Sequence, residues 1–332
     1  MNSAQFIKDP DRNLALELVR VTESAAMAAA RKMGRGDKNA ADQAAVNAMR
    51  YMFNTVDMDG VVVIGEGEKD EAPMLYNGEA LGTGVAPKVD IAVDPIDGTR
   101  LTSLGLPGAV AVVALAERGA MFSPGHIVYA NKIAVGPRAK GVIDINAPVK
   151  DNLSKVAKAL GKDVHDLTVV VLDRDRHKDL IREVRQYGAR IKLISDGDVA
   201  GALATAIENS GEDILMGIGG TPEAVITAAA LKCMDGEIQI KLWARNEKER
   251  MMAVDHGIDL NRVLSTNDLV SGENVFFAVT GITGGQLVDG VRYEGDRVYT
   301  SSIVMRSLTA TVRRIESEHH RDRLNLLTQM YE

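Results

Sequence analysis

Apolar residues recur every three or four positions near the start of the chain, at Leu14, Leu18, Val21, Ala25 and Ala28. This spacing predicts a helix over residues 14–32 that ends at Gly34. A second helix is predicted from about residue 41 to residue 53, because no Pro or Gly interrupts that segment. Residues 34–39 are therefore predicted to be a loop.

Short runs rich in β-branched residues follow the two helices. Residues 61–64 and 89–93 are typical of strands, and we expect these strands to stop at Gly65 and Pro95. Residues 109–116 and 132–135 also read as strands. The first half of the chain is accordingly predicted to be α+β, with much of its sheet antiparallel.

After Asp151 a strand is followed by a helix three times. The predicted strands are residues 168–172, 190–194 and 213–216, and the helices are residues 180–186, 199–207 and 224–234. This βαβ pattern predicts parallel strands with ligand sites beyond their carboxyl ends, in loops 173–177, 195–198 and 217–223. Short strands return at 275–279, 298–306 and 310–315. The chain as a whole is predicted to be α/β, with one lobe over residues 1–150 and another over 151–332.

Composition excludes several classes of protein. The 332 residues are 45% hydrophobic and 26% charged, and 46 acidic against 39 basic residues give a net charge of -7. Without a clustered basic face, nucleic acid is not an expected partner. No apolar stretch is long enough to span a membrane, and the first twelve residues do not resemble a signal peptide, so we expect a cytoplasmic protein. The single cysteine, Cys233, can form neither an internal disulfide nor a thiolate metal site alone.

The segment Asp94-Pro-Ile-Asp-Gly-Thr99 carries the most specific chemistry in the sequence. It follows a buried-strand run, and a tight turn would direct Asp94 and Asp97 at one small volume. Because two unpaired carboxylates repel each other, the pair implies a cation. The alternative is an ordinary turn, in which Asp, Pro and Gly are common.

Two other acidic positions are weaker candidates when each is taken alone. Glu66 and Glu68 follow the predicted strand 61–64, and glycine on both sides of Glu66 leaves room for a ligand, although a solvated hairpin tip would look the same. Asp42 lies near the beginning of a helix, where an interaction with the helix dipole explains it equally well.

The glycine-rich loop 217–223 leads into a helix. We expect Thr221 at its N-cap, Pro222 at the first position and Glu223 in the first turn. Such a helix start can receive a phosphate or present an acid to a metal, and it can equally be plain capping. The chain has neither a P-loop nor a dinucleotide-binding glycine fingerprint, which disfavours nucleotide hydrolysis and dinucleotide binding.

Converging carboxylates suit the hydrolysis of a phosphate monoester. That reaction brings a nucleophile toward a dianion and is very slow without catalysis. Oxygen ligands favour Mg²⁺ or Mn²⁺, which can hold phosphate, activate water and stabilise the leaving oxygen.

Residues 94–99 resemble the signature of the lithium-sensitive phosphomonoesterase superfamily. Further segments resemble the class II, glycerol-operon type of fructose-1,6-bisphosphatase, namely residues 34–38, 63–68, 72–76, 196–199 and 217–223. The likeness extends from about Asn13 to Arg323. It implies a layered αβαβα sandwich, a divalent metal and hydrolysis of the 1-phosphate of fructose 1,6-bisphosphate in gluconeogenesis.

The resemblance also assigns residues. Asp42 and Glu66 are similar to ligands of one metal, and Asp94, Asp97 and Glu223 to ligands of another. Thr99 resembles the catalytic threonine, whether it attacks directly or activates water. The implied substrate contacts are Asp97, Gly98, Thr99, Tyr129, Arg174, Asp175, Arg176, Asp196, Gly197, Asp198 and Gly220. Some relatives have Glu at the position of Asp97, which leaves the preferred metal open.

Two other functions remain as alternatives. One is a phosphatase of sedoheptulose 1,7-bisphosphate or inositol phosphate that uses the same metal site. The other is a non-catalytic sugar-phosphate sensor, which the presence of the acids and of Thr99 disfavours. We also expect a homo-oligomer.

Overall fold

The computed structural model describes residues 14–67, 74–125 and 127–327, with side chains described as far as residue 324. The helices are α1 (Leu14–Ala30), α2 (Lys38–Phe53), α3 (Thr99–Leu104), α4 (Val149–Leu160), α5 (Lys178–Gln186), α6 (Asp198–Ala204), α7 (Thr221–Cys233), α8 (Glu247–Asp255), α9 (Thr266–Leu269) and α10 (Arg321–Leu327). The strands are β1 (Asp59–Ile64), β2 (Ala80–Leu81), β3 (Lys88–Asp97), β4 (Val110–Glu117), β5 (Tyr129–Val135), β6 (Thr168–Leu172), β7 (Arg190–Ile194), β8 (Ile214–Gly220), β9 (Glu237–Leu242), β10 (Leu264–Ser265), β11 (Phe276–Gly281), β12 (Arg292–Glu294), β13 (Arg297–Arg306) and β14 (Thr311–His320).

Within the described residues these strands form two sheets. One has the order β12-β13-β11-β4-β3-β1-β2, with β14 paired to β13, and the other has the order β10-β9-β5-β8-β6-β7. In the first sheet β3 is antiparallel to β4 and parallel to β1. In the second sheet β6 is parallel to both β7 and β8. The predicted βαβ half and the largely antiparallel first half are therefore confirmed.

Five layers follow from the apolar faces of these elements. Helices α1 and α2 pack on the outer face of the first sheet. Helices α6 and α7 lie between the two sheets, and α4 and α5 cover the outer face of the second. The predicted αβαβα sandwich is confirmed. Among the described residues, none of the helices has both the length and the apolar composition needed to cross a membrane.

The first half of the chain was predicted to form a largely antiparallel sheet of its own, and the sequence did not assign the strands after residue 274 to a sheet. The predicted strand 132–135 is part of β5, which lies in the second sheet, whereas β11, β13 and β14 return to the first. Pairing partners depend on tertiary contacts rather than on local pattern. The division of the chain into lobes at residue 150 stays a prediction.

Several boundaries also differ from the predictions. Helix α2 begins at Lys38 because the Asp37 side chain accepts a hydrogen bond from the Ala40 N–H at 2.9 Å. Strand β3 continues through Pro95 to Asp97 instead of stopping there. Its register against β4 shifts between Asp94 and Asp97, and a bulge of this kind accommodates a residue that has no N–H to donate.

Strand β8 likewise extends further than predicted. Residues 217–220 belong to the strand, so the expected loop is shorter. Gly220 rather than Thr221 occupies the N-cap of α7, and Pro222 is consequently the second helical residue.

Candidate active site

The strand ends of both sheets bring the predicted acids together. Glu66 follows β1. Asp94 and Asp97 lie at the carboxyl end of β3, whose parallel neighbour is β1. Glu223 lies in the first turn of α7, directly after β8. Asp42 projects from α2. Sequence positions spread over more than half the chain thus contribute to one acidic cluster.

Burial and mutual repulsion raise the pKa values of several acids in the cluster. Burial and then the charges of Asp42 and Glu223 raise the pKa of Glu66 to about 7. Burial, followed by the charges of Asp97, Glu223 and Glu66, raises the pKa of Asp94 well above its usual value. Burial also raises the pKa of Asp42. The cluster therefore holds more negative charge than its surroundings compensate.

Asp97 connects the first sheet to α6. Its carboxylate accepts a hydrogen bond from the Ala200 N–H of α6 at 3.2 Å. Burial, and next the charge of Asp198, raises the pKa of Asp97 well above its usual value. Gly197, at φ 78° directly before α6, packs close to this carboxylate. A left-handed conformation at this contact favours glycine.

Glu223 is the most distinctive acid of the site. The residue is half-buried, but its Oε2 atom is shielded from water and has no hydrogen-bond partner among the described residues. A Cβ atom on Gly220 would lie 1.8 Å from that oxygen, so the carboxylate occupies space that only glycine leaves open. Burial raises the pKa of Glu223, and the nearby charge of Lys132 opposes this effect.

Thr99 begins α3 directly after Gly98, which adopts a left-handed conformation at φ 103°. The Thr99 hydroxyl donates to the Ile96 carbonyl at 3.2 Å. One residue further, the Arg100 N–H donates to Asp196 Oδ2 at 3.2 Å. The start of α3 is thereby joined to the loop that follows β7.

The arginine loop that follows β6 lies at the same edge. Arg176 donates through Nε and Nη2 to the Ile218 carbonyl at 3.1 and 2.7 Å, and its guanidinium lies 5.3 Å from the Tyr129 ring centre. Arg174 donates to the Ser195 carbonyl at 2.7 Å and lies 3.6 Å from Asp196. Both cations thus stand beside strand ends that carry the predicted substrate loops.

A family model described as bacterial fructose-1,6-bisphosphatase, glpX-encoded, matches residues 12–319 of this sequence. The chain belongs to this family. It is 47% identical over 325 residues to fructose-1,6-bisphosphatase 1 class 2 of Escherichia coli strain K12, with 94% of this chain and 96% of that protein covered. Fructose-1,6-bisphosphatase class 2 of Shigella flexneri shows the same identity and coverage. The family resemblance predicted from the motifs is confirmed.

One predicted substrate contact stands apart from the acidic cluster of this fructose-1,6-bisphosphatase family member, and part of the predicted motifs lies outside the described residues. The Asp175 side chain is 93% exposed and lies 2.8 Å from Lys178. Glu68 and residues 72 and 73 fall outside the described residues. Over the described ranges, no three His, Cys, Asp or Glu side chains stand close enough to enclose an ion as they are placed.

A buried lysine is the main feature that sequence reasoning missed. Lys132 Nζ of β5 donates to Asp198 Oδ2 at 2.7 Å, and the two side chains are only 2% and 7% exposed. A Cβ atom on Gly219 would lie 2.0 Å from Asp198 Oδ2 and 2.9 Å from Lys132 Nζ. The available signal was a lysine inside an apolar strand, since a lysine buried there needs an acidic partner.

His177 is a second residue that the sequence did not single out. Its Nδ1 lies 2.6 Å from the Leu172 carbonyl, and its Nε2 lies 2.7 Å from the Ile218 nitrogen. These contacts require a neutral ring with the proton on Nδ1. Burial lowers the pKa of His177 and favours this form. The ring holds the arginine loop against β8.

A cavity of about 500 Å³ adjoins the substrate loop after β7. Its walls are mainly apolar, and Asp196 and Gly197 are the predicted site residues among the described lining. Such walls are poor hosts for a phosphate dianion, because burying a charge without a partner costs free energy.

Proposed function

We propose that the protein hydrolyses the 1-phosphate of fructose 1,6-bisphosphate and releases fructose 6-phosphate and phosphate. Membership of the fructose-1,6-bisphosphatase family supports this substrate. The observation that supports the proposal is a group of half-buried acids, whose pKa values are raised by burial and by one another's charge, beside a loop that holds two arginines. A bisphosphate needs this combination at its two ends. The reaction belongs to gluconeogenesis.

The donor set fits a hard divalent cation. Asp42, Glu66, Asp94, Asp97 and Glu223 offer oxygen ligands, and the partnerless Oε2 of Glu223 is an open coordination position among the described residues. We propose Mg²⁺ or Mn²⁺ there, with Asp42 and Glu66 on one ion and the other three acids on a second. The ions would supply charge neutralisation and an acidified water when bound.

The chain's own residues position the sugar and the distal phosphate. Arg174 and Arg176 offer guanidinium donors that match phosphate oxygens in charge and geometry. Asp196 and Asp198 provide acceptors for sugar hydroxyls. Lys132 pairs with Asp198, and its positive charge offsets part of the negative charge that Asp198 exerts on Asp97 and Glu223.

Thr99 is the proposed group that activates the nucleophile by orienting it. Its O–H is directed at the Ile96 carbonyl, so the lone pairs of its oxygen can accept a hydrogen bond from the attacking water. This contact would direct the water oxygen toward phosphorus, and the proton of the water would pass to a carboxylate of the acidic cluster rather than to Thr99.

Phosphate release over a panel of sugar bisphosphates tests the proposal. We expect turnover of fructose 1,6-bisphosphate with Mg²⁺ or Mn²⁺ and none in excess EDTA. Glu223→Gln should lose turnover by orders of magnitude while its thermal unfolding stays close to that of the unaltered protein. Faster release from sedoheptulose 1,7-bisphosphate or inositol phosphate would reassign the substrate, and binding without any release would identify a sensor.

A further inference from the structure

Strand β14 forms an outer edge of the first sheet. It pairs with β13 along its whole length, from Thr311 opposite Arg306 to His320 opposite Arg297. No strand of the described chain pairs with its other side. The ten residues contain neither Pro nor Gly, and β14 has no register shift against β13. It therefore lacks the prolines and bulges by which proteins usually prevent an edge from pairing.

The phase of the ladder shows which backbone groups face outward. The Arg321 N–H donates to the Asp296 carbonyl at 2.8 Å, which continues the β13–β14 register as a hydrogen-bonded pair. Hydrogen-bonded and non-bonded pairs alternate in an antiparallel ladder. On the other side of β13, the Ser307 N–H donates to the Val275 carbonyl at 2.9 Å. Odd-numbered residues of β13 therefore direct their backbone groups toward β11, and even-numbered residues direct theirs toward β14, which agrees with the Arg321 bond. The backbone groups that face outward on β14 therefore belong to Val312, Arg314, Glu316, Glu318 and His320.

The charges along this edge are self-complementary. Arg313 and Arg314 lie in the first half of β14, and Glu316 and Glu318 lie in the second, all of them exposed. Antiparallel pairing of two copies about a twofold axis at Ile315 sets Arg314 opposite the partner's Glu316, twice in each dimer. Both residues are outward-facing, as a hydrogen-bonded pair requires. Opposite charges directly across a ladder stabilise it.

Other registers are less favourable. An axis at Glu316 would set this residue opposite its own copy, and like charges in that position destabilise pairing. The axis at Ile315 also joins apolar surface to apolar surface, because Ile315 packs against the core between the first sheet and α1. The partner's Ile315 would extend that layer. Ser301 donates to Oε1 of Glu316 at 2.7 Å, which leaves Oε2 to face the partner.

We propose that β14 is the contact through which two copies of this chain associate, in antiparallel pairing centred on Ile315. The first sheets of the two copies then form one continuous sheet. The expected homo-oligomer acquires a defined interface, and the proposal is independent of the phosphatase activity, because its test measures mass rather than turnover.

Light scattering during size-exclusion chromatography over a dilution series tests the pairing. The unaltered chain should give a dimer or a multiple of it. Arg314→Glu alone and Glu316→Arg alone should each weaken association by about tenfold or more, because each places like charges opposite each other at two contacts. The double variant R314E/E316R should restore association.

Mixing the two single variants provides the sharpest test. At both contacts of their heterodimer an acidic side chain of one chain faces a basic side chain of the other, so association should return to the strength of the unaltered chain although each variant alone associates more weakly. Recovery on mixing also shows that both variants are folded. Glu247→Arg on α8, whose side chain is 77% exposed, is the matched control for charge reversal and should leave the mass unchanged.

Three results would overturn the proposal. The first is a monomeric mass at the highest attainable concentration, and the second is an oligomer whose mass neither single variant alters. The third is failure of both the double variant and the mixture to recover association.

Discussion

Replacing Lys132 by methionine removes the buried cation that contacts Asp198 and keeps most of the volume of the side chain. The Lys132 Nζ atom lies 2.7 Å from Asp198 Oδ2, and neither side chain has appreciable access to water. Gly219 packs so closely that a single added carbon would meet both groups, so water has little room to replace the ammonium. The variant leaves a buried carboxylate without its partner.

Loss of one partner from such a pair costs about 3 to 5 kcal/mol of unfolding free energy. Urea unfolding of the metal-free protein, followed by circular dichroism, measures this quantity directly. Lys178→Met is the matched control, since Lys178 and Asp175 form a lysine–aspartate pair of similar length, 2.8 Å, whose side chains are 76% and 93% exposed. The exposed pair should contribute less than about 1 kcal/mol.

A second substitution separates charge from packing. The double variant K132M/D198N removes both charges, and it should be more stable than Lys132→Met alone because the unpaired carboxylate is gone. If Lys132→Met is no less stable than Lys178→Met, or if Asp198→Asn gives no recovery, the buried pair does not stabilise the site as argued.

Three further outcomes can be measured. Arg176→Ala should raise KM for the bisphosphate by roughly one to two decades and change hydrolysis of a small monophosphate much less, and equal losses would contradict a role at the distal phosphate. Thr99→Ala should bind metal and substrate within about tenfold of the original affinity by calorimetry yet fail to turn over, whereas Thr99→Ser should keep measurable activity. The pKa of Glu66 is about 7 in the folded protein, against an ordinary value of 4.5. Between these two pH values the metal-free folded protein therefore binds a proton at Glu66 that the unfolded chain has lost, so folding becomes less favourable as the pH rises. Its stability should therefore fall between about pH 4.5 and 7 by no more than about 3 kcal/mol, and Glu66→Gln should flatten that slope in urea titrations.

The local sequence pattern predicted helices and strands well where the spacing of apolar residues followed a single period. The three strand–helix units after Asp151 were correct because parallel buried strands and their crossover helices have distinct periods. Helix α1 was predicted to within two residues for the same reason. Asp42 was assigned to the acidic cluster only by the family resemblance. Asp94 and Asp97 were also singled out by the motif in which they lie.

Features that depend on distant contacts were beyond the sequence. Pro95 normally ends a strand, yet a bulge against β4 lets β3 continue through it. The return of β11, β13 and β14 to the first sheet depends on which edge was left unpaired, and no local pattern encodes that. Lys132 was taken as the first residue of a strand, and its burial became meaningful only once Asp198 was found beside it.

The neutral ring of His177 gives the site a fixed internal length. By bridging the Leu172 carbonyl and the Ile218 N–H, it attaches the arginine loop to β8, the strand that runs directly into the helix bearing Glu223. The two arginines and Glu223 are therefore held at a fixed separation. If they contact the two phosphates as proposed, this separation selects bisphosphates by the distance between their two phosphorus atoms, before any hydroxyl of the sugar is recognised.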